Sequence, residues 1–140
     1  MNYAHTITVS LPYEEAVSRV KEELANQGFG VLTEIDINAT FETKLGAESA
    51  QTLGDYVILG ACNPVLAEKA LAAEPDMGLL LPCNVVIRRS PSAQTTTIQA
   101  IDPQTMVQLS TAPEIQGVAD HADKHLLAAL AAIEGTNSSN

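Results

Sequence analysis

Two short segments hold both cysteines of the chain and echo each other: Gly60-Ala61-Cys62-Asn63-Pro64 and Leu81-Pro82-Cys83-Asn84-Val85. A thiolate is a nucleophile and a ligand for soft metals, so each cysteine is a candidate for covalent, redox or metal chemistry. Cys62 has the stronger physical case. Asn63 followed by Pro64 reads as a helix N-cap and its first helical position. Cys62 therefore stands just ahead of a helix N-terminus, whose free N–H groups and dipole stabilise an anion and would lower a thiol pKa. The competing reading is that each thiol is a small core hydrophobe. Two cysteines in a cytosolic chain read as reduced rather than bridged.

Other chemistry-bearing residues are weaker. His121 and His125 lie four apart on the last predicted helix, so both imidazoles share one face and could hold a divalent metal. No Glu stands in the zincin position and no third ligand is evident, so the pair also reads as a solvated polar face. His5 is isolated on a strand. Glu34 and Asp36 alternate along one strand and share a face, where acids ordinarily meet water. There is no phosphate loop, dinucleotide fingerprint or nucleophile elbow. No catalytic residue is assigned, and the metal and any cofactor stay unidentified.

The elements that must position these residues follow from periodicity. Ile7, Val9 and Leu11 alternate as a half-buried strand, and Pro12 opens a helix with Tyr13, Val17, Val20 and Leu24 on its apolar face. Gly28 ends it. Residues 29–37 have strand composition. Asn38 or Thr40 caps a short helix through Leu45 that Gly46 stops, and residues 47–54 read as a loop. Tyr56 to Leu59 is a central strand, followed by a helix from Pro64 to about Ala73. Pro75 and Gly78 break that helix. Leu79 to Arg88 is apolar with Pro82 early in it, which suits a strand start or an irregular entry better than a strand centre. Ser90-Pro91-Ser92 turns the chain, and Thr95 to Ile101 pairs back as a hairpin. Asp102-Pro103 opens one more short turn or helix. A long helix spans about Pro113 to Ile133, with Ile115, Val118, Ala122, Leu126, Leu130 and Ile133 as its buried stripe. The reading is one α/β domain over 1–134 and a disordered polar tail over 135–140.

Alternation of this kind predicts an α+β fold: a two-layer α/β sandwich on a split βαβ, ferredoxin-like sheet with a C-terminal helix. In that topology the strand ending at Ala61 runs parallel to the first strand and beside it, and the strand starting near Cys83 runs antiparallel on its other side. Cys62, Asn63, Cys83, Asn84 and Asp102 then converge at one rim as a ligand-binding site.

Composition bounds the partners. The net charge is −10, from 17 acidic against 7 basic residues. Such a surface repels phosphate backbones and anionic membranes, so neither nucleic acid nor membrane is an expected partner, while cations are attracted. The N-terminal residues carry no signal-peptide pattern and no apolar run reaches membrane length, so the expected location is cytoplasmic.

Several segments taken in order resemble a known family. They are Tyr13-Glu14-Glu15-Ala16-Val17 through Lys21-Glu22-Glu23-Leu24, Gly28 to Asp36, Ile58 to Pro64, Gly78 to Val85, and Ala100-Ile101-Asp102-Pro103. Together they resemble the bacterial and archaeal family called domain of unknown function 302, over roughly residues 5–133. The resemblance implies a compact two-layer α/β domain and a homodimer, and it supplies no established activity. The leading expectation is a homodimeric binding or accessory protein without catalysis of its own, taking a small molecule or a soft metal ion at a Cys62/Cys83 rim. The alternatives are a thiol-dependent enzyme or redox sensor using Cys62, and a structural interaction module.

Overall fold

A computed structural model describes residues 3–138 of the chain. Five strands form one sheet: β1 (Ala4–Val9), β2 (Gly30–Asp36), β3 (Asp55–Cys62), β4 (Cys83–Arg89) and β5 (Thr96–Ile101). Six α-helices connect them: α1 (Tyr13–Asn26), α2 (Ile37–Leu45), α3 (Ala47–Leu53), α4 (Pro64–Ala73), α5 (Gln104–Leu109) and α6 (Glu114–Ser138), with a 3₁₀ turn over Pro75–Leu80. The mixed α+β architecture and the C-terminal helix are as the sequence predicts.

The strand order is β1-β5-β4-β3-β2, with every neighbouring pair antiparallel. This corrects the ferredoxin-like arrangement. β3 is not beside β1; β5 and β4 lie between them. The split βαβ unit is β1–α1–β2. Its two strands run in the same sense at opposite edges, with three strands inserted between them. The physical reason lies in the connections. β3 pairs back onto β2, and β5 pairs back onto β4 across the Ser90 turn. That leaves β5 and β2 as the two sheet edges, and β1 takes the one at β5.

Helices α1, α4 and α6 cover one face, with α6 touching both of the others as well as β1. The core is one cluster: Val9, Val57, Leu59, Val85, Ile87 and Ile98 from the strands meet Val20, Leu24, Leu66, Ile115, Leu126 and Ile133 from the helices. All six residues of the predicted α6 stripe are buried. The opposite face mixes apolar and polar side chains, with Ile35, Ile58 and Val86 in register with Gln99 and Thr6. Arg88 Nε donates to Gln99 Oε1 at 3.2 Å, and Gln99 Nε2 donates to Thr6 Oγ1 at 3.2 Å.

Three local predictions change. Residues 47–53 form α3 rather than a loop, and Asn38 explains why. Its amide donates to Ala50 O at 2.9 Å and Gly54 O at 2.7 Å, tying the two short helices together. The cap of α2 is Asp36, whose Oδ1 accepts from Ala39 N at 2.9 Å, because the strand ends one residue earlier than its composition suggests. α6 continues through 135–138, where a disordered tail is predicted; residues 139–140 of that tail lie outside the described residues.

Candidate functional site

The register of the sheet assembles one rim. Gly30 of β2 pairs with Cys62, Ala61 with Cys83, and Val85 with Ala100, while Ile101 pairs with Ala4. The end of β3, the start of β4 and the end of β5 therefore share one margin. Cys62, Cys83, Asn84 and the residues just beyond the strands, Asn63 and Asp102, all lie along it. The strand order that first suggested the convergence is wrong, yet these residues lie along one margin, because alternating antiparallel strands return the same ends to the same side.

Each residue is held by local chemistry. Asn63 caps α4: its Oδ1 accepts from Val65 N at 3.1 Å and Leu66 N at 3.2 Å. Asp102 opens the next helical turn, its Oδ1 accepting from Gln104 N at 2.9 Å. Asn84 is exposed, Cys62 is half-buried and Cys83 is buried. Burial, with a smaller contribution from Cys62, pushes the Cys83 thiol up to about 11. At neutral pH Cys83 is a protonated thiol, a poor nucleophile.

Two hollows meet at Cys83. A cavity of about 20 Å³ is lined by Cys62, Asn63, Cys83, Phe29, Leu66 and Met106, with room for about one water-sized molecule. A groove of about 270 Å³ opens on the other side, lined by Leu79, Leu80, Pro82, Asn84, Asp102 and Thr105. Its walls are mainly apolar, with Asn84, Asp102 and Thr105 supplying polar groups. The five candidate residues thus divide: Cys62 and Asn63 line the cavity, Asn84 and Asp102 line the groove, and Cys83 is common to both.

Gly60 sets the close packing behind this rim. A Cβ there would collide with Thr33 Oγ1 and stand 2.9 Å from Pro82 Cγ, so only glycine lets the turn ahead of β4 approach β3.

Other candidates sit elsewhere. His125 Nδ1 is 2.9 Å from Gln27 Oε1, and His121 lines a separate groove between α4 and α6. Neither lines the cavity of Cys62. Glu34 pairs with Lys21, and Asp36 is the α2 cap. Among the described residues, the group able to supply three metal donors is His5, Asp102 and Asp123, and it contains no cysteine. Asp102 therefore faces an imidazole and a second carboxylate rather than completing a thiol site. His5 is the functional candidate that sequence reasoning missed. Its alternation with Ile7 and Val9 was the available signal: it places the imidazole on the helix-facing side, where a polar ring needs a partner. The partner itself could not be named without the strand order.

Residues 5–133 match the family described as Domain of unknown function DUF302. The chain is also similar to a solved structure, the uncharacterized conserved protein DUF302 from Bacillus stearothermophilus. The two are 28% identical with a TM-score of 0.80, over 93% of this chain and 97% of that one. No curated protein matches the chain.

Proposed function

The chain belongs to the family called domain of unknown function 302, a membership that brings a fold and no reaction, and we propose from the rim that it is a non-catalytic binding protein for a small amphiphilic molecule. The observation that carries this reading is the groove of about 270 Å³ beside Cys83. Ligand sites are concave, mainly apolar and furnished with a few convergent polar groups, at volumes of ~300–1,000 Å³. This groove has that character at a volume just below that range. Leu79, Leu80 and Leu81 offer an apolar wall, and the Asp102 carboxylate favours a cationic or hydrogen-bond-donating head group. The chain's net charge of −10 adds to that preference.

The test is a titration of ¹⁵N-labelled protein with n-hexylamine and, separately, n-hexanoate. Hexylamine should shift the amides of 79–84 and 102–106 saturably, and hexanoate should do so less. Asp102→Asn, which keeps the capping oxygen, should narrow the difference. Shifts scattered over the surface, or equal for both probes, would remove the reading.

The working form we propose is a twofold homodimer. Among the described residues the outer edge of β2 has no strand partner, and this strand carries Leu32 at 66% and Ile35 at 46% exposure. An open edge with exposed apolar side chains favours association with a second copy.

A further inference from the structure

His5, Asp102 and Asp123 come from three separate elements, namely β1, the turn after β5, and α6. Their donor atoms lie within 4.8 Å of one another. His5 Nε2 is 2.6 Å from Asp123 Oδ1 and 3.7 Å from Asp102 Oδ1. A divalent ion with ligand bonds of about 2.0–2.2 Å holds neighbouring donors roughly 2.8–3.6 Å apart. The two separations from His5 lie just either side of that range, and the Asp102 and Asp123 oxygens lie within 4.8 Å of each other, so the three donors stand close enough to converge on one ion.

Charge argues in the same direction. Two carboxylates face one imidazole, and a proton on that ring offsets one negative charge, whereas a divalent cation offsets both. The Gln104 N–H fixes the Asp102 carboxylate at 2.9 Å, so one donor is oriented in advance. The side chains are 22–23% exposed, which leaves coordination positions for water.

We propose that His5, Asp102 and Asp123 form a divalent-cation site. One imidazole nitrogen and two carboxylate oxygens suit Zn²⁺, Co²⁺ or Mn²⁺ and do not suit Cu(I). The site goes beyond the groove reading and shares Asp102 alone with it.

The test uses the whole chain, stripped with EDTA and titrated with ZnCl₂ by calorimetry and with MnCl₂ by electron paramagnetic resonance. One ion per chain should bind with a dissociation constant below the millimolar range. Affinity should fall about tenfold or more in Asp123→Asn and in His5→Gln. It should be unchanged in Cys83→Ser and in the His121→Gln/His125→Gln double variant. In the unaltered protein, Mn²⁺ should broaden the His5 ring resonances before those of His121 and His125, a readout that survives if His5→Gln fails to fold. Absence of binding, affinity unchanged in Asp123→Asn, or broadening of His121 and His125 first would overturn the proposal. Hexylamine shifts at 79–84 that persist in Asp123→Asn would separate the fate of the groove from that of the ion site.

Discussion

Asn63 holds the first turn of α4 through two backbone N–H groups. Asn63→Ala should therefore cost about 1 kcal/mol in a denaturant melt, and Asn63→Asp should recover most of it. The thiols on either side of this cap differ in burial, and that difference separates their chemistry. Ellman's reagent at neutral pH should modify one thiol per native chain, and Cys62→Ser should abolish the reaction. If both thiols stay silent until the protein is unfolded, the thiol enzyme and redox sensor readings fall together. Cys83 has a pH signature of its own. Its folded value of about 11 stands above its ordinary 9.0. Below pH 9 both states keep the proton and the full stability is present. As pH rises from 9 to 11 the unfolded chain ionises first, and stability falls by roughly 2–3 kcal/mol. Melts at pH 8 and pH 10.5 should show this loss in the unaltered protein, and Cys83→Ala should lack that part of it.

Among the elements, the tightest approach is where β2, β3 and the turn ahead of β4 meet at Gly60. Gly60→Ala should destabilise the protein by about 1–3 kcal/mol, because the new methyl group meets Thr33 and the Pro82 ring together. Adding Thr33→Ala should restore part of the loss, which thermal melts of the single and double variants would measure. The elements themselves were largely legible in the sequence. Gly28 ends α1 at φ +85°, Asn63-Pro64 starts α4, and the α6 stripe is buried throughout, since each rests on local stereochemistry or on an unbroken period. α3 was not legible, because Ala47–Leu53 has too short a period to read and is held by the distant amide of Asn38. Strand order was illegible for a related reason. The pairing of β1 with β5 joins residues some hundred positions apart, and no local pattern encodes it. The rim of Cys62, Cys83, Asn84 and Asp102 was readable regardless, since it depends on which strand ends share a side. The cluster of His5 with Asp102 and Asp123 needed the strand order, and so stayed hidden.

At the level of the whole molecule, the proposed dimer rests on the open edge of β2. Light scattering at micromolar concentration should give twice the chain mass, and Leu32→Lys with Ile35→Lys should return the monomer without loss of helix content. A monomer mass for the unaltered chain would remove the dimer. No helix among the described residues is long and apolar enough to cross a membrane. The opposite edge has a consequence in time rather than in space. β1 leaves the ribosome about a hundred residues ahead of β5, the strand that must receive it. At roughly 5–20 residues per second that delay is on the order of ten seconds. Throughout it Ile7 and Val9 have no sheet to join, while β2, β3 and β4 can already pair among themselves. The chain thus carries an orphan strand during its own synthesis. That strand is the one a nascent-chain chaperone would shield, and its amides should be among the last to gain protection from hydrogen exchange as the protein matures.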